Sequence, residues 1–378
     1  MPQRKKKTSK PALPSPYKER LQRLKRSLKK QDIDGALITN RTDYRYLTGF
    51  TGEDSAVLVT PKTVMAISDG RFEVALAQEA SWMETTMRSG LLDHEIARVC
   101  QSMGLTRVGF QSRHVSVASL ASIKKKSRST KFSPLDSTLL DMRKVKDDLE
   151  MRTLRKAVKI AEASFLALRE QLRIGDTEQQ IAARLEFEMK SRGADGISFP
   201  TIVAEGPNAA LPHAHPGRRK IKKGSALLID WGARVNGYCS DLTRVLFVGS
   251  IPAKIGEVYQ TVLTAQLRAI KAVKAGAPLS SVDAAARGFI ADAGYASRFN
   301  HGLGHGLGLD VHESPRISWQ SDDPLHAGEV VTIEPGIYLP GVGGVRIEDD
   351  VLVTRTGCRV LSKLSKSLDD AVVKIGRR

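Results

Sequence analysis

Thirteen residues, HGLGHGLGLDVHE from His301 to Glu313, place three imidazoles among four glycines. A segment so poor in bulky apolar side chains cannot fill a core by itself, because protein interiors are close-packed. It must be held by other elements, and its glycines let backbone and ligands come close. Four carboxylates elsewhere give it a purpose: Asp230 and Asp241 in LLIDWGARVNGYCSDLTRV, and Glu334 and Glu348 in TIEPGIYLPGVGGVRIED. One imidazole and four carboxylates are enough to hold two divalent cations.

The first pair can be placed by register. Asn236-Gly237 is a two-residue hairpin signal, so Val235 faces Tyr238, Asp230 faces Thr243 and Asp241 faces Gly232. Side chains two apart share a strand face, and Asp230 and Asp241 therefore project from one side as diagonal neighbours, with Gly232 leaving room opposite Asp241. Asp230 directly follows the apolar run Ala226 to Ile229, and a buried carboxylate needs compensation. Glu334 follows Val330-Val331-Thr332-Ile333, and Glu348 follows Val345-Arg346-Ile347, in the same way.

Among the histidines, His305 lies between Gly304 and Gly306 and is the candidate ligand. His301, His312 and His213 are read as groups that handle protons or brace the ligands, while His215, His326, His94 and His114 are left as background. Oxygen-dominated ligation with one imidazole suits Mn(II), Co(II), Fe(II) or Zn(II), and softness alone does not choose among them; the pair is expected as Mn(II), with Co(II) or Zn(II) as alternatives. Two bridged ions would bring a shared water toward neutral pKa and polarise a carbonyl, which makes hydrolysis the natural reaction class.

Two domains are expected from 378 residues. Residues 1–15 read as a basic, disordered arm: residues 1–30 hold twelve Lys or Arg against the single acid Glu19, and much of the formal net charge of +18 sits there. The arm lacks interleaved aromatics, so it reads as a solvated leader rather than a nucleic-acid contact. Residues 16–145 alternate short β-type runs (ALIT, SAVLVT, VMAIS) with helical ones, as in a small α/β domain, and Leu21, Leu24 and Leu28 mark an opening amphipathic helix. The mixed-charge stretch DMRKVKDD marks the boundary. Residues 146–378 read as helix, helix and strands twice over, an α+β domain with internal duplication. Cys100, Cys239 and Cys358 form no CxxC pair, which fits a reducing cytoplasm; no export signal is visible and no apolar run could span a membrane. The glycines at 302, 304, 306 and 308 do not spell GxGxxG, and HExxH, GxxxxGK[ST] and GxSxG are missing.

With these residues assembled, the chain resembles the pita-bread metallopeptidases, in the branch of Xaa-Pro aminopeptidases and Xaa-Pro dipeptidases (prolidases). FPTIVAEGPNAALPHAHP, LLIDWGARVNGYCSDLTRV, FNHGLGHGLGLDVHESP and TIEPGIYLPGVGGVRIEDDVLVT follow the family's order, and RTDYRYLTGFTGEDSAVLVT looks like the accessory domain of the same branch. The resemblance implies a creatinase/prolidase-type N-terminal α/β domain before a pita-bread domain of two pseudo-symmetric halves. It also implies that Asp230 binds one ion, Asp241 and Glu348 bridge both, and His305 and Glu334 complete the other. Glu334 would shuttle the proton of the bridging hydroxide, His312 would steady the tetrahedral intermediate or donate a proton, His213 would line the pocket beside the scissile bond, and Arg346 would support the ligands. The implied substrate is a proline-containing peptide cut before that proline, whose missing N–H and fixed φ call for a dedicated pocket. A homodimer is implied as well. Ser225 stands where the family has an aspartate in a turn, the basic arm lies outside the resemblance, and Arg316 is only a nearby candidate for the dipeptidase arginine that meets the substrate carboxylate. The alternative is a non-catalytic pita-bread binding module whose arm contacts nucleic acid or ribosomes; a metal-independent creatine-type amidinohydrolase would have no use for five ligands.

Overall fold

The structure, a computed structural model, describes residues 13–374, so the arm read over residues 1–15 falls mostly outside the described residues. The chain forms two compact units, Met1–Met142 and Arg143–Arg378.

The first unit opens with helix α1 (Ser15–Lys30), which buries Leu21, Leu24 and Leu28 along one stripe. Strand β1 (Gly35–Ile38), helix α2 (Arg41–Thr48), β2 (Ala56–Val59) and β3 (Val64–Ser68) follow. Then come α3 (Glu73–Glu79), β4 (Glu84–Met87), α4 (Leu92–Ser102), β5 (Arg107–Phe110), α5 (Val117–Lys126) and β6 (Lys131–Pro134). The strands make one sheet in the order β4-β3-β2-β1-β5-β6. β1, β2 and β3 pair antiparallel, while β1–β5, β5–β6 and β3–β4 are parallel pairs reached through helices. Pro134, which cannot donate to a ladder, lies on an edge strand.

The mixed-charge stretch that marks the boundary is largely helical. Helix α6 (Asp136–Lys144) runs into it, and Asp147 with Glu150 forms a capping box for α7 (Asp148–Gln171). Thr177 and Gln180 make a second box for α8 (Glu178–Ser191). β7 (Gly196–Ile197), β8 (Ile202–Glu205), β9 (Ala226–Trp231), β10 (Ala233–Val235), β11 (Tyr238–Cys239) and β12 (Leu242–Val248) come next. The hairpin register is as the sequence required, with Val235 opposite Tyr238 and Thr243 opposite Asp230. Asn236 and Gly237 take φ of 45° and 81°, as a tight turn with two positive dihedrals demands. Gly232 has a different reason from the one inferred: a Cβ there would lie 1.9 Å from the Ser240 carbonyl and 2.8 Å from the Ser198 hydroxyl.

The pattern then repeats. Helices α9 (Ala253–Ala272) and α10 (Leu279–Asp292) precede β13 (Gly304–Gly306), β14 (Glu313–Ile317) and β15 (Val330–Ile333). After these come β16 (Gly336–Leu339), β17 (Gly343–Arg346), β18 (Asp349–Val353), β19 (Cys358–Val360) and β20 (Val372–Val373). The second hairpin is interrupted: β16 pairs only with β17, while β15 pairs with β18 in the same continuing register. Glu334-Pro335 on one side and Ile347-Glu348 on the other form the break. Odd-numbered residues of β9 (Leu227, Ile229, Trp231) pack with α7 and α8 in one core. Ala226 and Leu228 join α9, α10 and the second hairpin in another. Asp230 thus belongs to the row that faces the second half.

Candidate metal centre

Each carboxylate is delivered by a strand end. Asp230 lies near the end of β9, Asp241 just before β12, Glu334 just after β15 and Glu348 just before β18. An isolated bridge between Thr243 and Glu348 joins the two hairpins, with the Glu348 amide donating to the Thr243 carbonyl at 3.2 Å. His305 comes from β13, squeezed between β14 and β15. A Cβ on Gly304 would lie 2.0 Å from the Thr332 carbonyl, and one on Gly306 2.2 Å from that of Ser314, so only glycine admits the strand there.

Asp241, His305 and Glu348 present ligand atoms that all lie within 4.8 Å of one another. Glu334 joins them, its Oε1 3.3 Å from His305 Nε2, while Asp241 Oδ2 is 3.6 Å from the same nitrogen. Asp230 lines the same cavity, of about 580 Å³, together with Glu334, His301, His312, His213 and Arg346. All nine residues singled out by sequence are therefore brought to one cavity. His215, read as background, also lines it; it stands two residues from His213, a spacing that could have raised it. His326 instead pairs with Glu329, and His114 with Asn40.

The braces escaped the sequence reading. Thr243 Oγ1 donates to Glu348 Oε2 at 2.7 Å and accepts from Arg346 Nε at 3.1 Å. Thr332 Oγ1 accepts from the His305 amide at 3.1 Å and donates to Glu334 Oε1 at 3.3 Å. Each threonine lies in a strand, two residues from a carboxylate just beyond that strand's end, Thr243 from Asp241 and Thr332 from Glu334, so the alternation that placed the carboxylates also places them. Arg346 reaches Asp230 Oδ2 at 2.5 Å and the Tyr338 hydroxyl at 2.9 Å. That hydroxyl lies 2.9 Å from His301 Nε2, while His301 Nδ1 faces the Gly302 carbonyl at 2.8 Å. The carbonyl assigns the proton to Nδ1, so Tyr338 donates to Nε2. No sequence signal marked Tyr338.

Burial and then the charges of Glu348 and Asp230 push Asp241 well above the usual carboxylate range. Glu348 is raised by burial and by Glu334 and Asp230. Glu334 is pushed up to about 8 by burial, against the pull of Arg346, and Asp230 is raised by burial despite the same guanidinium. Burial and the neighbouring His312 bring His305 down to about 3, and burial brings His301 down to about 4. His305 is therefore a neutral imidazole. Its Nδ1 lies 3.0 Å from the Gly306 carbonyl, which leaves the Nε2 lone pair aimed at carboxylate oxygens. Lone pairs facing lone pairs, three buried carboxylates and a partly buried fourth against one guanidinium, and a buried Asp230 Oδ1 with no hydrogen-bond partner all call for added positive charge. A site of hard oxygens and one neutral imidazole fits divalent cations.

Comparison with known proteins agrees with this geometry. The family model for metallopeptidase family M24 matches residues 152–355, and that for the creatinase/prolidase N-terminal domain matches residues 20–145. An Xaa-Pro dipeptidase of Pyrococcus horikoshii is 35% identical over 360 residues, which cover 93% of this chain and 98% of the relative. A solved Xaa-Pro dipeptidase from Bacillus anthracis superposes with a TM-score of 0.89 at 38% identity, covering 93% of this chain and 99% of the other. The X-Pro aminopeptidase from Thermotoga maritima gives a TM-score of 0.86 at 37% identity, covering 93% and 100%. The fold is the pita-bread fold preceded by a creatinase-type domain, and the chain belongs to metallopeptidase family M24 as a metal-dependent exopeptidase.

Proposed function

We propose that this chain hydrolyses the Xaa-Pro bond of dipeptides or of peptide N-termini, using two divalent ions, Mn(II) first among them, held by Asp230, Asp241, His305, Glu334 and Glu348. The observation that carries this reading is the convergence of one neutral imidazole and a group of mutually unfavourable carboxylates on one cavity that also presents His213 and His312. Bound ions would supply the charge that lets these carboxylates ionise together, activate water and polarise the scissile carbonyl.

The remaining work belongs to the side chains. Glu334, braced by Thr332, holds and passes a proton at Oε1. His312 and His213 are exposed at the cavity and meet the substrate beside the bond being cut. Arg346 holds Asp230 and donates to the Tyr338 hydroxyl, whose own proton is left for Nε2 of His301, an imidazole that burial keeps neutral. Phe199, Pro200 and Ile202 give the cavity an apolar wall suited to a pyrrolidine ring. The Arg316 side chain lines the cavity with no hydrogen-bond or ion-pair partner among the described residues, and it offers a cation to the carboxylate of a dipeptide. We assign the protein to the cytoplasm, in keeping with its three free thiols, and take it as a homodimer.

A cleavage panel tests the reading. Protein reconstituted with Mn(II) or Co(II) should release the first residue from Xaa-Pro, and more slowly from Xaa-Pro-Yaa. No turnover on either with any divalent ion would refute it.

A further inference from the structure

The mixed-charge stretch before α7 and the glutamate that ends the His-rich segment meet in space. Arg143 and Lys146 have side chains only 5% and 1% exposed, although their neighbourhood reads as surface, and Glu313 is 6% exposed. Arg143 Nη2 donates to Glu313 Oε1 and, at 2.7 Å, to Asp310 Oδ2. Lys146 Nζ lies 3.1 Å from Glu313 Oε2 and donates to the Arg143 carbonyl at 2.7 Å. The Glu313 carboxylate also accepts the Asp310 amide at 3.0 Å. A Cβ on Gly308 would lie 2.7 Å from both Glu313 oxygens, so the carboxylate fills space that this glycine leaves. Burial alone would raise Glu313, yet Lys146 and Arg143 hold it down to about 2.

What this cluster fastens is the excursion between β13 and β14. Gly306 pairs with Glu313, and Leu307 to His312 loop out and return. The return sets the His312 ring edge-on to His305, with centroids 4.4 Å apart. His312 makes no hydrogen bond of its own among the described residues, so its place depends on the backbone that carries it.

We propose that Arg143 and Lys146 are positioning residues for His312, acting through Glu313 to hold the 307–312 excursion in one conformation. Their effect on turnover rests on the reading of His312 as a group that meets the substrate. Removing the charge of Lys146 or of Glu313 alone leaves the buried cluster with an excess of one sign, which is destabilising. Removing the Lys146 and Glu313 charges together restores the balance, because Arg143 keeps its pair with Asp310, and also takes away the clamp, so the double variant separates a positioning role from a merely structural one.

The experiment compares wild type, Lys146→Met, Glu313→Gln and the double variant. In metal-free protein, amide hydrogen exchange over residues 307–313 should speed up by roughly ten-fold in all three variants while β9 and β12 keep wild-type protection. With metal bound, kcat on Xaa-Pro should fall by roughly 10-fold or more with KM little changed, since slight misplacement of a catalytic group is costly. In the double variant the thermal midpoint should recover while exchange stays fast and kcat stays low. Wild-type exchange at 307–313 in the double variant, or kcat recovering with the midpoint, would overturn the proposal. An inactive wild type would sink the peptidase reading instead, and the exchange comparison would still judge the clamp.

Discussion

Stripping the metal should make the protein less stable as pH rises from 7 to 8, in a way that metal abolishes. In the metal-free fold Glu334 titrates at about 8, whereas in the unfolded chain a glutamate titrates near 4.3. Between those values the folded state keeps a proton that the unfolded state has lost, so stability falls with pH by up to ~1.4 kcal/mol per unit for each such group. Across pH 7 to 8 Glu334 alone accounts for about 1 kcal/mol, a fall of roughly 2–4 °C in the midpoint of a domain of this size. Asp241 and Glu348, also raised, act in the same direction. The buried histidines oppose this only weakly: His301 and His305 titrate at about 4 and 3, and because unfolded histidine is already mostly neutral above pH 7, the two together add back only about 0.3 kcal/mol between pH 7 and 8. Calorimetry of chelator-treated protein at pH 7.0, 7.5 and 8.0, beside Mn(II)-loaded protein and Glu334→Gln, reads the effect. A midpoint that stays level or rises in the metal-free wild type, or a slope untouched by Glu334→Gln, would refute the coupling of these carboxylates.

Asp241→Ala removes a carboxylate at the centre of the cluster and should cut kcat/KM by roughly 10²-fold or more, a loss of about 3 kcal/mol of transition-state stabilisation; full activity would contradict the ligand assignment. Tyr338→Phe takes the donor from His301 and an acceptor from Arg346, and steady-state kinetics should show kcat reduced about tenfold with the fold intact, in line with ~1–3 kcal/mol for unsatisfied buried groups. Arg346→Leu leaves Asp230 buried without its cation, and chemical denaturation of the metal-free protein should show a loss of ~3–5 kcal/mol. Arg316→Ala should raise KM for Xaa-Pro dipeptides by about tenfold, the value of one charge-assisted contact, and leave Xaa-Pro-Yaa nearly unchanged; equal effects on both would remove Arg316 from substrate recognition.

The sequence was most legible where local rules decide structure. Asn236-Gly237 set a register that carried Asp230 to Thr243 and Asp241 to its side, because a two-residue turn leaves no freedom in pairing. The same parity applied to β12 and β15 would have found Thr243 and Thr332 as braces. The break in the second hairpin was not legible: Glu334-Pro335 reads as strand followed by turn, and only the bridge from Thr243 to Glu348 shows how the two hairpins share a floor. Tyr338 and the pair Arg143 and Lys146 were hidden for a different reason. The burial of Arg143 and Lys146 is decided by a partner far along the chain, Glu313 lying 167 residues from Lys146, and the role of Tyr338 by His301, 37 residues before it. Ser225, which departs from the family's aspartate, shows the reverse case, since its hydroxyl still accepts the Lys222 amide at 2.9 Å and donates to Glu205 at 2.6 Å, so the turn survives.

Anomalous scattering from crystals grown with Mn(II), recorded on both sides of the manganese edge, tests the metal centre directly. The proposed centre predicts two peaks in the cavity, each within bonding distance of side chains drawn from Asp230, Asp241, His305, Glu334 and Glu348. A cavity without manganese, or peaks held by other residues, would contradict it.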